Sequence, residues 1–228
     1  MKKAAVIVAG GSGTRMGASM PKQYLPIGGR PILMHTLDAF YKYDQSLVLI
    51  LVLPASDHDL WKSLCQSHSY QVPHSLVSGG SSRFQSVKNG LLGLSVDIDL
   101  VAIHDGVRPF VAQAVIREGF DTAASAGSAI AVIPLKDSLR KLGAKGNSIF
   151  QDRQQFRLVQ TPQTFQTKKI LQAFETDELL QFTDDATVYE HMGWEVTLIP
   201  GNLENIKITT PEDLAYAAYL LQISQQGR

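Results

Sequence analysis

Ala9-Gly10-Gly11-Ser12-Gly13-Thr14-Arg15-Met16-Gly17, with Pro21-Lys22-Gln23-Tyr24-Leu25 close behind it, follows directly on the apolar run Ala4-Ala5-Val6-Ile7-Val8. An apolar run that breaks into glycines is a first strand feeding a loop. Glycines without a Cβ let backbone N–H groups wrap a polyphosphate and permit positive φ, and Arg15 and Lys22 add two cations to that nest. Neither commoner phosphate loop fits. Met16 stands where a dinucleotide fingerprint needs its third glycine, and no Gly-Lys-Ser/Thr occurs. Glycines alone would suit a plain connecting loop; glycines with Arg15 and the Pro21-Lys22-Gln23 group after a first strand argue for phosphate binding.

Outward from this stretch, β-branched runs alternate with helix-period segments. The runs are Ala4 to Val8, Leu47 to Leu53, Ser75 to Val77, Leu100 to His104, Ala129 to Leu135 and Glu195 to Ile199. Helices are expected over 31–41, 57–66, 82–94, 112–124, 167–174, 183–192 and 211–223. The pattern predicts an α/β protein with a mostly parallel sheet and helices on both faces. Ser56 and Asp57 are expected to cap the second helix. Pro211 takes a first helical position behind Thr210 as N-cap, with Glu212 and Asp213 at the positive end of the dipole. With no internal repeat or Pro-rich linker, 1–228 is expected to be a single domain.

Residues 136–161 break the alternation. Gly143, Gly146 and Asn147 lie between Ser138-Leu139-Arg140 and Phe156-Arg157-Leu158-Val159, two stretches that could pair as a hairpin. Such a segment is long for a plain loop. It suits an arm that embraces a second subunit, or a lid on its own subunit.

The 228 residues carry 21 Lys plus Arg against 21 Asp plus Glu, a formal charge of zero. A duplex binder would show a basic excess or block, so nucleic acid is not expected as a partner. Charged residues at 18% and hydrophobic residues at 44% describe a packed globular chain. The first apolar run is too short for a membrane span or a signal core. Cys65, the one cysteine, cannot form an internal disulfide and suits a small buried hydrophobe. A cytoplasmic protein without a membrane partner is expected.

A second constellation, His104-Asp105-Gly106-Val107-Arg108-Pro109, ends the fourth main strand. Ligands in open parallel sheets bind at the carboxyl ends of strands. There Asp105 could share a metal with a bound triphosphate, since Mg²⁺ is usually held by one or two carboxylates, phosphate oxygens and water. Arg108 can pair with a second anion. His104 is expected to be structural, having no Cys or second His at metal-ligand spacing. No arrangement suggests nucleophilic catalysis.

These motifs resemble the cytidylyltransferase family, and within it the branch that serves the non-mevalonate isoprenoid pathway. The resemblance also takes in Gly79-Gly80 with Arg83 and Ser86-Val87, the Gln160-Thr161-Pro162-Gln163 turn, Thr183-Asp184-Asp185-Ala186 and Glu204-Asn205-Ile206-Lys207-Ile208-Thr209, and so runs over nearly the whole chain. It implies a Rossmann-like nucleotidyltransferase fold, CTP and a polyol phosphate as substrates, Mg²⁺ or another divalent cation, and a homodimer joined through a β-arm at 136–161. By motif, Ala9, Gly10, Gly11, Ser12 and Gly13 with Arg15 and Lys22 would hold the triphosphate. Gly80, Ser81 and Ser86 would line the cytosine and ribose site. Asp105 would bind Mg²⁺ and a substrate hydroxyl, and Lys207 would reach the α-phosphate. Arg108, with Ser138 and Arg153 from the partner's arm, would contact the polyol phosphate. Two positions depart from the family pattern: Ser138 stands where Thr is usual, and Ser81 where an acidic residue often follows the glycine pair.

The implied chemistry asks little of the protein. A phosphate monoester loses its second proton near pH ~6, so the attacking oxygen is already anionic at neutral pH and no general base is required. The site must bring two anions together and stabilise charge on the α-phosphoryl group, a task for positioning and cations. The nearest rival is a ribitol 5-phosphate cytidylyltransferase, which shares the glycine loop and the Asp105 motif. Asp152-Arg153 and Thr183-Asp184-Asp185-Ala186 look more like the isoprenoid branch. A catalytically dead, nucleotide-binding relative would be expected to lack the Arg15, Lys22, Asp105 and Lys207 set. Trp61 and Trp194 suit the core or the flank of the sheet.

Overall fold

The computed structural model describes residues 1–10, 20–144 and 146–226. Along the chain run β1 (Lys3–Val8), the short strands β2 (Pro26–Ile27) and β3 (Arg30–Pro31), α1 (Ile32–Tyr43), β4 (Val48–Leu53), α2 (His58–Ser67), β5 (Ser75–Ser78), α3 (Arg83–Leu92) and β6 (Leu100–Asp105). Then come α4 (Gln113–Ala126), β7 (Ser128–Pro134), β8 (Leu139–Leu142), β9 (Ser148–Gln151), β10 (Arg157–Gln166), α5 (Thr167–Ala173), α6 (Asp185–His191), β11 (Leu198–Pro200) and α7 (Pro211–Gln226).

Seven strands form one sheet in the order β11-β7-β10-β6-β1-β4-β5. β10 pairs antiparallel with both β6 and β7; the other pairs, β1 with β4 and β6, β4 with β5, and β11 with β7, are parallel. The sheet is therefore mostly parallel, as the alternation predicts. Period-2 side-chain direction splits its strands between two cores. Ala5 and Ile7 of β1, Leu49 and Leu51 of β4 and Ala102 of β6 face Leu37 and Phe40 of α1, Trp61 of α2 and Phe120 of α4. Ala4, Val6, Ile50, Val52, Val101 and Ile103 face Phe84 and Val87 of α3, Ile170 of α5 and Tyr189 of α6. A smaller cluster of Ile27, Ile32, Val107, Ile208 and Ala217 fixes α7 and the segment before it against the β2–β3 hairpin.

The C-terminal helix starts as read. Thr210 Oγ1 accepts from Asp213 N at 3.3 Å and Asp213 Oδ2 accepts from Thr210 N at 2.9 Å, a reciprocal cap. Cys65 is half-buried against the first core, and burial pushes its thiol up to about 11, which agrees with an inert packing role. Trp61 is buried and Trp194 packs against the second core.

Other expectations need correction. Residues 136–161 do hold a hairpin, but β8 pairs with β9, Arg140 opposite Phe150, while Arg157 and Leu158 join β7 in the main sheet. The Gln160-Thr161-Pro162-Gln163 segment is not a turn between elements; it lies inside β10, with the register shift falling between Val159 and Gln163. That irregularity admits Pro162, which has no N–H to give a ladder. Neither Ser56 nor Asp57 caps α2 by a side-chain bond. Asp57 instead accepts from the Tyr24 hydroxyl at 3.0 Å and ties that helix to the Lys22 turn. The last sheet strand is shorter than expected, Leu198–Pro200.

Candidate active site

β1 and β6 run side by side with Val8 opposite Asp105, and β1 is also the point where the chain's progress across the sheet reverses. A crevice at the carboxyl ends of these strands is what such a switch creates. Gly11, Ser12, Gly13 and Arg15 lie outside the described residues. Ala9 and Gly10 line the crevice, as does Lys22, on a single 3-10 turn, Lys22–Tyr24. Gln23, buried, explains how that turn is held: its side-chain amide donates to Ala9 O at 3.0 Å, and Ala9 N donates to Val52 O at 3.0 Å.

The opposite wall is the link from β5 to α3. Ser82 caps α3 by accepting from Gln85 N at 3.1 Å. Ser86 Oγ donates to Ser82 O at 2.8 Å and accepts from Gly80 N at 3.1 Å, so this hydroxyl shapes the turn as well as lining the pocket. A Cβ on Gly80 would come within 2.3 Å of Gln85 Cβ and 3.1 Å of its main chain, which leaves room there for glycine alone. Ser81 is exposed on the rim.

Asp105 ends β6 between three cations. Arg108 Nε and Lys207 Nζ each lie 3.1 Å from its Oδ2, and Arg83 Nε lies 3.9 Å from its Oδ1. Burial alone would raise this carboxyl; the charges of Lys207, Arg83 and Arg108 outweigh it and hold Asp105 ionised, well below the usual carboxylate range. Gly106 lets the next residue pass close to β1, since a Cβ there would meet Ala9 Cβ at 2.8 Å. Ile206 and Ile208 pack into the third cluster and Ile208 N donates to Val107 O at 3.0 Å, which leaves Lys207 between them turned to Asp105.

His104 is structural, as expected, and its partners fix its tautomer. Arg108 O can only accept, so Nε2 carries the proton and donates to it at 3.0 Å, and Nδ1 accepts from the Thr161 hydroxyl at 3.0 Å. Thr161 Oγ1 in turn accepts from Asp105 N at 3.0 Å. Burial pushes His104 down to about 4, so the ring is neutral at physiological pH. The chain of bonds locks β6 to β10 directly beneath Asp105.

A second pocket adjoins the first. Arg108, Gln160, Thr161, Gln163, Thr183 and Asp184 line it, and Arg83, Asp105 and Lys207 line both. The structure thus brings Ala9, Gly10, Lys22, Gly80, Ser81, Ser86, Asp105, Arg108 and Lys207 to one cleft. Ser138 and Arg153 stay outside both linings, exposed at the base of the β8–β9 hairpin. Sequence reasoning gave no role to Arg83, although it stands in a quoted motif. Its guanidinium grips buried Asp185 through Nη1 to Oδ1 at 2.8 Å and Nη2 to Oδ2 at 2.7 Å. Gln163 was missed likewise: it donates to Asp184 Oδ2 and accepts from Ala186 N, both at 2.8 Å.

No group of three or more His, Cys, Asp or Glu able to hold a metal occurs among the described residues. The donor set present, one ionised carboxylate facing an anion pocket, fits an ion held mainly by substrate phosphates and water, the usual manner of Mg²⁺. No helix among the described residues is long and apolar enough to cross a membrane.

The family model for 2-C-methyl-D-erythritol 4-phosphate cytidylyltransferase matches residues 3–223. A protein of that name from Bacteroides thetaiotaomicron is 49% identical over 221 residues, 97% of this chain and all of the relative, and one from Porphyromonas gingivalis is 46% identical over 96% of this chain and 98% of its own. Among solved structures, the 4-diphosphocytidyl-2C-methyl-D-erythritol synthase of Anaerococcus prevotii superposes with a TM-score of 0.83 at 29% identity, covering 97% of this chain and 98% of that one. The 2-C-methyl-D-erythritol 4-phosphate cytidylyltransferase of Thermus thermophilus gives 0.76 at 29%, covering 97% and 100%. Fold, pocket and likeness over nearly the full length agree: the chain belongs to the 2-C-methyl-D-erythritol 4-phosphate cytidylyltransferase family and is a nucleotidyltransferase.

Proposed function

We propose that CTP occupies the first pocket and the polyol phosphate the second, and that the substrate phosphate attacks the α-phosphorus directly and in line, expelling pyrophosphate. The reaction is the family's: CTP and 2-C-methyl-D-erythritol 4-phosphate give 4-diphosphocytidyl-2-C-methyl-D-erythritol and pyrophosphate. The observation that carries the assignment of pockets is their common border at Asp105 and Lys207, where an α-phosphate held from one side meets a nucleophile held from the other. The ribitol 5-phosphate alternative is not favoured by a family match and relatives that all name methylerythritol phosphate.

Lys22 and Arg15, with the glycine loop Gly10 to Gly13, take the triphosphate and its departing charge. Gly80, Ser81 and Ser86 meet the base and ribose. Lys207, half-exposed beside Asp105, reaches the α-phosphate, and Arg108 contacts the polyol phosphate. Asp105 accepts a substrate hydroxyl and contributes the carboxylate to Mg²⁺, which when bound neutralises phosphate charge. With the attacking phosphate already dianionic, the protein moves no proton; it orients two anions and lowers their repulsion.

Of residues 136–161, the β8–β9 hairpin and the segments flanking it, as far as the start of β10, serve as the arm of a homodimer that delivers Ser138 and Arg153 to the partner's second pocket. Support comes from their absence from the pocket linings on this chain and from Leu142, Ile149 and Phe150, 78%, 58% and 65% exposed on the β8–β9 hairpin, apolar area of the kind interfaces cover. A single domain over 1–228 is supported by one sheet that takes strands from both halves of the chain, and a cytoplasmic place of work completes the reading.

The test is pyrophosphate release with Mg²⁺, pairing CTP, ATP or GTP with methylerythritol 4-phosphate or ribitol 5-phosphate. Release with CTP and methylerythritol 4-phosphate alone is expected. Equal release with ribitol 5-phosphate would move the activity to the rival branch, and silence with every pair would leave a nucleotide-binding protein without turnover.

A further inference from the structure

We infer that Arg83 is a positioning residue that ties the two substrate subsites together, its fork clamped on Asp185 and its Nε edge turned to Asp105. It rests on the reading that CTP fills the first pocket and the polyol phosphate the second.

Arg83 is the first residue of α3, the helix whose cap and turn build the nucleotide wall. Asp185 is the first residue of α6, beside Thr183 and Asp184 of the polyol wall. The two are 102 residues apart in sequence and joined by two charge-assisted hydrogen bonds. The planar fork fixes the guanidinium, and this fixes where Nε stands, 3.9 Å from Asp105 Oδ1. Of the described residues lining the two pockets, Arg83, Asp105 and Lys207 are common to both, and of these three Arg83 is the one bonded to α6, through Asp185.

An ion pair that merely held α6 in place would be redundant. The helix has its own capping box, with Asp184 Oδ1 accepting from Thr187 N at 3.0 Å, and Gln163 accepts from Ala186 N. Nor is the pair a favourable place to put charge for its own sake. Asp185 is fully buried, and burial raises its carboxyl in spite of Arg83; such a pair adds little stability over an apolar replacement. Its geometric effect is specific. It sets the spacing of the walls and holds Asp105 from the side opposite Arg108 and Lys207, so the α-phosphate and its attacker meet in line.

The experiment compares wild type with Arg83→Lys, which keeps the cation and loses the fork, and Asp185→Asn, which keeps the shape and loses the charge. For each, kcat, KM for CTP, KM for methylerythritol 4-phosphate and the midpoint of thermal unfolding are measured. Both variants are expected to lose about 10- to 100-fold in kcat, as small misplacements at a reacting centre do, with KM for CTP far less affected; the midpoint is expected to change little in Arg83→Lys and to fall in Asp185→Asn, which takes the buried partner from a cation. A wild-type kcat in Arg83→Lys would overturn the inference. So would variants that only unfold earlier, with turnover per folded molecule intact, or a failure of both to fold. A wild type that turns over neither substrate pair defeats the functional reading itself, which the other outcomes leave standing.

Discussion

The two walls of the cleft are made of different material. The wall assigned to the nucleotide is largely main chain and small residues, Ala9 and Gly10 after β1 and Gly80, Ser81 and Ser86 between β5 and the first turns of α3, with Lys22 and Gln23 beside them. The wall assigned to the polyol is polar side chains, Arg108, Gln160, Gln163 and Asp184, on and around the reversed strand β10, with Gln163 bonded to Asp184, Gln160 to the main chain of Asn202 and Arg108 to that of Asn205. Backbone on a rigid strand end needs no rotamer to be fixed, whereas a side-chain wall holds its shape only if each amide and carboxylate is satisfied. The nucleotide side is therefore sensitive to added volume and the polyol side to a lost hydrogen bond.

The largest effect should come from the border that both walls share. Asp105→Asn removes the carboxylate on which Arg83, Arg108 and Lys207 converge, and turnover should fall about 10³-fold, the scale of losing one electrostatic contact at a reacting centre. Pyrophosphate release per folded molecule checks this; a near-normal rate would place the chemistry elsewhere. Next is the joint under that border. His104 titrates near 6.5 when unfolded and at about 4 when folded, so below pH 6.5 the unfolded chain binds a proton that the folded chain refuses. Stability should fall as pH drops from 6.5 to 4, by roughly 3 kcal/mol from this ring. His35 and His74, also lowered by burial, act in the same direction. Urea unfolding across that range should show the slope, and His104→Gln should flatten part of it.

Smaller effects separate the walls. Gln163→Leu strands Asp184 and the Ala186 N–H inside the polyol wall, which should cost about 1–3 kcal/mol in urea unfolding and raise KM for the polyol phosphate more than KM for CTP. Gly80→Ala should do the opposite, raising KM for CTP about tenfold, a loss of roughly 1.4 kcal/mol, while the polyol KM stays put. If both variants moved the same KM, the division of labour between the walls would be wrong.

The parallel half of the sheet was legible because local pattern and tertiary role agree there. Ala4 to Val8 and Leu100 to His104 look like strands and are strands, and Ile206-Lys207-Ile208 alternates as its packing demands. β10 was not legible as a strand. Gln160, Thr161, Gln163 and Thr164 are each at most 4% exposed, and buried polar residues carry no periodic hydrophobic signal. Their partners, His104, Asp184 and Asn202, come from elsewhere in the chain. Arg83 was hidden for the same reason: a cation at a helix start suggests solvent until Asp185 is seen facing it. Asp57 looks like a cap in sequence, but its carboxylate is taken by the Tyr24 hydroxyl, a partner that tertiary packing supplies.

β10 slots between β6 and β7, two strands that precede it in the chain and do not pair with each other. Thr161 reaches back 57 residues to His104, and Asp185 reaches back 102 to Arg83. Closing such loops is entropically costly and is postponed until local structure can reward it. A chain emerging from the ribosome can thus raise its nucleotide wall early, but the polyol wall and the clamp on Asp185 wait for its last third. The catalytic centre cannot mature before the reversed strand is inserted, so the first turnover of a refolding molecule marks a time by which its sheet is complete.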